Sequence, residues 1–130
     1  VIAGLGVDVV HLPDFAAQLA VPGSAFADGV FTAGERADAA RGTDPARHLA
    51  ARWAAKEAFL KAWSGASFGQ PPALARADLQ EIEVIRDAWG RPALRLHGAV
   101  ATLTAELRAW VSLSHDGPVA TAVVVLERDL

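Results

Sequence analysis

The sequence predicts an α+β fold in which a mainly antiparallel sheet packs against one long helix. Two observations carry this. β-branched segments with strand-like alternation lie at both ends of the chain and again near Glu81, each bounded by glycine, proline or aspartate. Between them, from about Pro45 to Ser64, Leu49, Trp53, Leu60 and Trp63 recur at helical spacing.

Val1 to Val10 is a first strand expected to close near Asp8. In an extended chain Leu5, Val7 and Val9 share one face and Gly6, Asp8 and Val10 the other, so the bare Gly6 is expected to leave room for a ligand beside Asp8. Pro13 to Leu19 predicts a short helix that ends before Pro22-Gly23, and Thr32 with Glu35 has the spacing of a capping box opening another. Asp44-Pro45 reads as the N-cap and first turn of the long helix, with Gly65 as its stop, and Ser67 to Ala77 as a loop. Glu81–Asp87 and Ala93–Leu96 flank the turn Trp89-Gly90-Arg91-Pro92. Gly98–Arg108 has helical composition, and Trp110–His115 and Val119–Leu126 form a hairpin across Asp116-Gly117-Pro118.

The 130 residues are 52% hydrophobic, enough to build a core, and residues 1–130 are expected to form one domain. A net charge of −3 gives no global basic field, so no nucleic-acid partner is expected. The absence of cysteine excludes thiolate metal sites and thiol nucleophiles. No apolar run approaches the roughly 18–20 residues of a membrane span, and Val1–Gly6 lacks the basic flank of a secretory signal. A cytoplasmic protein with no membrane partner is expected.

The long helix carries charge where a buried helix should have little. Lys56 falls inside its apolar stripe, where snorkelling is the ordinary reading, and Glu57 and Lys61 share the adjoining face at i,i+4. Asp8 and Glu57, two carboxylates on rigid elements, are the candidate magnesium ligands, and Lys56, Lys61 and Arg52 the candidate phosphate contacts. His115-Asp116 offers an imidazole and a carboxylate at a strand end. His11, three residues after Asp8, is a possible nitrogen ligand, while His48 and His97 carry no distinguishing pattern.

Together these segments resemble the phosphopantetheinyl transferases, in particular the short holo-(acyl-carrier-protein) synthase group. Gly4-Leu5-Gly6-Val7-Asp8 resembles that family's N-terminal strand, and Arg52-Trp53-Ala54-Ala55-Lys56-Glu57-Ala58-Phe59-Leu60-Lys61 its signature helix. Trp89–Pro92 and Ser112–Asp116 fall where its later motifs fall, and Ala46–Gly65 is most similar to actinobacterial members.

The resemblance implies transfer of 4'-phosphopantetheine from coenzyme A to a serine of an acyl carrier protein, or of a carrier domain in a multifunctional fatty acid synthase. It implies Mg²⁺ on Asp8 and Glu57, and Lys61 against the diphosphate. Arg52, Lys56, Gly90, Arg91, Pro92 and His115 would line the cleft for the adenosine bisphosphate half of coenzyme A, and His115 and Asp116 would orient or deprotonate the acceptor serine. It also implies a homotrimer with active sites between subunits. His11–Leu19 contains no arginine or lysine, so electrostatic capture of an acidic carrier helix by this segment is not expected, and docking of a multifunctional synthase's carrier domain through apolar contacts such as Leu12 and Phe15 is the alternative. The alternatives are a non-catalytic carrier-binding or oligomerisation module, and a trimeric cyclodiphosphate synthase-like enzyme that uses Asp8 with His11.

Overall fold

A computed structural model describes all of residues 1–130. Strand β1 (Ile2–His11) is followed by helices α1 (Leu12–Leu19), α2 (Phe26–Val30), α3 (Ala33–Ala40) and the 22-residue α4 (Pro45–Ala66). The hairpin β2 (Ile82–Arg86) and β3 (Pro92–Leu96) comes next, then α5 (Gly98–Leu103) and the long hairpin β4 (Leu107–Asp116) and β5 (Val119–Arg128). The strands form two antiparallel sheets, β1-β5-β4 and β2-β3, with α4 laid across the first. The predicted architecture is therefore observed, although its sheet is divided in two.

Several boundaries differ from the expectation. β1 continues past Asp8 to His11 because its pairing with β5 runs unbroken to Val119. α4 passes through Gly65 to Ala66, and α5 stops at Leu103, where Leu107 and Arg108 pair instead with Arg128 and Glu127. α2, too short to show a helical period, had no sequence signal. The capping box at Thr32 forms as read: Glu35 N–H donates to Thr32 Oγ1 at 3.1 Å and Thr32 N–H to Glu35 Oε1 at 3.0 Å.

The face of α4 against the sheet is built of alanine rather than of the predicted Leu/Trp stripe. Ala50, Ala54, Ala55, Ala58, Phe59 and Ala62 are fully buried. Trp53 turns the other way, into an aromatic cluster with Phe15 and Phe26 at ring separations of 6.4 and 5.0 Å. The small residues let helix and strand approach closely. A methyl group on Gly6 would overlap the carbonyl oxygen of Ala58, and one on Gly4 that of Ala62. The space beside Asp8 that a bare Gly6 was expected to leave for a ligand is filled by the α4 backbone.

Lys56 does not snorkel. It is completely buried and donates three hydrogen bonds, to Glu35 Oε1 at 2.8 Å, Leu79 O at 2.8 Å and Ile82 O at 2.7 Å. Glu35 spends its other oxygen on Val84 N–H at 2.9 Å. This one ion pair joins α3, α4, the 3₁₀ turn Leu79–Glu81 and β2. Burial pushes the Lys56 ammonium toward neutrality and the Glu35 charge opposes it.

Candidate active site

The candidate residues separate into two groups, one on each flank of α4. Five residues of helix rotate a side chain by about 140°, so Glu57 and Arg52 leave α4 on different sides. On the Glu57 side, α4 brings its side chains over the C-terminal half of β1. Lys61 Nζ donates to Asp8 Oδ1 at 3.1 Å and to the Val7 carbonyl at 3.0 Å. Burial raises the pKa of Glu57 above its ordinary value, the nearby Asp8 charge raises it further, and Lys61 pulls the other way. Asp8, Glu57 and Lys61 thus form one electrostatically coupled cluster, in the partly buried angle between helix and strand.

This cluster passes the chemical test for magnesium. Two hard-oxygen donors stand close enough for one charge to disfavour the other, which is the repulsion a divalent cation relieves. No third histidine, cysteine or acid joins them, so the remaining positions fall to other oxygens, water or phosphate among them. A pH dependence follows. Glu57 holds its proton more tightly in the folded chain than in the unfolded one, so stability falls as pH rises from its unfolded value of 4.5 through its raised folded value. Bound Mg²⁺ offsets that repulsion only where Glu57 is ionised. The increase in Tm caused by Mg²⁺ is therefore expected to be larger at about pH 8 than at about pH 5, and a pH-independent increase would count against Glu57 as a ligand.

On the other flank, the N-terminal half of α4, the β2–β3 turn and the end of β4 enclose a cavity of about 280 Å³. Arg47, His48, Arg52 and Arg86 line it with Gly90, Pro92 and His115. No carboxylate reaches it. Three arginines with the Arg52 Nε buried there without a hydrogen-bond partner suit an anion, while the Arg47 Nε lies 3.6 Å from Asp44 Oδ2. Gly90 adopts φ +82°, and Asp87 Oδ1 accepts from Trp89 N–H and Arg91 N–H, each at 2.9 Å, which fixes the turn. Burial lowers the pKa of His48, Arg52 and Arg86 lower it further, and Asp38 and Asp44 oppose them.

Of the residues the resemblance implied for the nucleotide cleft, Arg52, Gly90, Pro92 and His115 line this one cavity, and four other candidate residues lie elsewhere. Lys56, sealed in the core with all its protons donated, cannot reach a ligand. Arg91 lies outside the cavity, paired with Asp87 and stacked on Trp89 at 5.2 Å. Asp116 follows His115 in β4, so strand alternation sends it to the opposite face and the two cannot act as one pair. His11, an odd number of residues from Asp8, likewise faces away and meets Asp14 at 3.0 Å, which removes the Asp8–His11 metal pair. His115 is two strands from Asp8, about 10 Å across the sheet, so one chain does not bring it to the acid pair. Phe15, expected on a docking surface, is 3% exposed.

Sequence reasoning missed Arg47, His48 and Arg86. The i,i+4 spacing of His48 and Arg52 was available as a signal; Arg86 had none, because its place depends on how the β2–β3 hairpin docks.

Comparison with known proteins identifies the family. The 4'-phosphopantetheinyl transferase superfamily matches residues 4–124. A holo-[acyl-carrier-protein] synthase of Mycobacterium tuberculosis is 53% identical over 127 residues, covering 97% of each chain. The solved structure of Mycobacterium tuberculosis acyl carrier protein synthase superposes with a TM-score of 0.82 at 48% identity, covering 99% of this chain and all of that one. A Chronobacterium ammoniagenes complex of that synthase with CoA superposes with a TM-score of 0.89 at 45% identity, covering 98% of each. Matched in sequence and fold along almost its whole length, the chain belongs to the 4'-phosphopantetheinyl transferase superfamily, in its holo-[acyl-carrier-protein] synthase group.

Proposed function

We propose that this domain transfers 4'-phosphopantetheine from coenzyme A to a serine of an apo acyl carrier protein, releasing adenosine 3',5'-bisphosphate. The observation that carries the reading is the pairing of an acid–lysine cluster with a separate arginine- and histidine-lined cavity, in a chain of this family. The serine oxygen forms a bond to the β-phosphorus, the bond from that phosphorus to the bridging oxygen breaks, and the serine proton leaves. Asp8 and Glu57 would hold Mg²⁺, which supplies charge stabilisation to phosphoryl oxygens when bound. Lys61, held by Asp8 and the Val7 carbonyl, presents its ammonium to the diphosphate. Arg47, Arg52, Arg86 and His115 receive the 3'-phosphate end of the nucleotide, against the turn at Gly90 and Pro92.

These two half-sites meet in an assembly of several copies, and we infer a homotrimer. The outward face of the β1-β5-β4 sheet exposes Leu5 and Val9, 64% and 65% accessible, with Val7, Val123 and Trp110 beside them in register. A continuous apolar face of this kind marks an interface. Leu5→Arg is expected to give a folded monomer by light scattering, with transfer lost; a Leu5→Arg protein that keeps the wild-type mass would overturn the assignment of this face.

No helix is long and apolar enough to cross a membrane. The direct test of function incubates the protein with coenzyme A, Mg²⁺ and an apo carrier, then weighs the carrier by intact mass spectrometry. A gain of one phosphopantetheine, abolished by chelation, is expected. Coenzyme A binding that ignores Mg²⁺, with no gain of mass, would favour the non-catalytic module instead.

A further inference from the structure

Three arginines converge on a single carboxylate behind the wall of the nucleotide cavity. Asp38, on α3, accepts Arg86 as a fork, Nε to Oδ2 at 3.0 Å and an Nη to Oδ1 at 2.7 Å. It also accepts from Arg41 at 2.7 Å and from an Nη of Arg52. Both of its oxygens are then saturated, so Asp38 has nothing left to offer a ligand. Its surroundings are electropositive, and hydrogen bonding to Arg86 holds its carboxyl below the usual range. Of the three arginines, Arg52 and Arg86 line the cavity and Arg41 does not.

We propose that Asp38 is a positioning residue that aims Arg52 and Arg86 at the phosphate monoester of coenzyme A, and so sets the preference for coenzyme A over its 3'-dephospho analogue. The proposal rests on the assignment of this cavity to the 3'-phosphate end of the nucleotide. Arg52 projects from α4 and Arg86 from the end of β2, two long cationic side chains on separate elements. Without a shared anion they repel each other and sample many rotamers, and a ligand must order both when it binds. With Asp38 they are held before the ligand arrives. The second Nη of Arg52 is tied as well, to the His48 carbonyl at 3.1 Å, leaving its buried Nε unmatched.

Aim and charge predict opposite signs, which makes the proposal testable. Asp38→Asn removes a negative charge near an anion site; if charge alone mattered, coenzyme A would bind more tightly. If Asp38 acts by aiming, KM for coenzyme A rises about tenfold while kcat is unchanged, and KM for 3'-dephospho-coenzyme A stays at its wild-type value. Arg41→Ala, at the exposed side of Asp38, is expected to leave both KM values unchanged. A folded Asp38→Asn protein whose KM for coenzyme A is at or below wild type overturns the proposal, as does an equal rise for both substrates. Should Asp38→Asn fail to fold, Asp38→Glu decides, because it keeps the charge and displaces the carboxylate: a rise for coenzyme A alone supports the proposal, and no rise overturns it. Wild-type protein that fails to distinguish the two substrates would instead remove the underlying cavity assignment, a failure visible before any variant is made.

Discussion

Glu57→Ala is expected to lower Mg²⁺-dependent transfer by about 10³-fold or more while leaving the fold intact. The size follows from what the side chain does. Glu57 supplies one of only two carboxylates in its cluster, and Asp8 alone is already committed to Lys61 at 3.1 Å. A magnesium ion left with one protein ligand loses both affinity and placement. The fold is expected to survive because Glu57 is half-buried at the edge of α4 and accepts no structural hydrogen bond, and burial and Asp8 both disfavour its charge. Removing it relieves strain in the metal-free protein, so its Tm at neutral pH should be equal to or above wild type. The measurement is turnover by carrier mass gain together with Tm, each with and without Mg²⁺. Near-wild-type turnover by a folded variant would remove Glu57 from the metal site.

Lys56→Met is expected to act on stability rather than on catalysis. It leaves Glu35 without its counter-ion in a fully buried site and removes three hydrogen bonds, a loss of about 3–5 kcal/mol. For a domain of this size that lowers Tm by about 10–20 °C. Adding Glu35→Gln to Lys56→Met should recover part of the loss by removing the uncompensated charge, while keeping an acceptor for Val84 N–H. If Lys56 were a phosphate contact, the same substitution would raise KM for coenzyme A and leave Tm alone. Thermal denaturation of the single and double variants, with KM measured well below their Tm, separates the two roles.

The Lys56 case shows why part of the site was legible in the sequence and part was not. Asp8, Glu57 and Lys61 could be paired because strand alternation and the i,i+4 rule are local, and because the family resemblance named all three. The same periodicity put Lys56 in the apolar stripe, which is where the structure holds it. What it could not reveal was the partner, since Glu35 lies 21 positions away on another helix. His115 and Asp116 failed as a pair for the converse reason. Adjacency in sequence suggests proximity, and in a strand it guarantees opposite faces. The Asp38 cluster was invisible because it joins α3, α4 and β2, and nothing local records how those elements meet. The alanine face of α4 was misread because larger side chains dominate a hydrophobic pattern; the glycines opposite were the better clue.

Those glycines have a consequence for how this domain can change. Gly6 sets the gap between β1 and α4 at bare backbone contact, and that gap also determines how far Lys61 stands from Asp8. Packing distance and reaction distance are one variable. A side chain at position 6 would wedge the helix outward and detune the acid–lysine cluster from a residue that touches no substrate. A substitution at this joint is therefore expected to lower stability and turnover together.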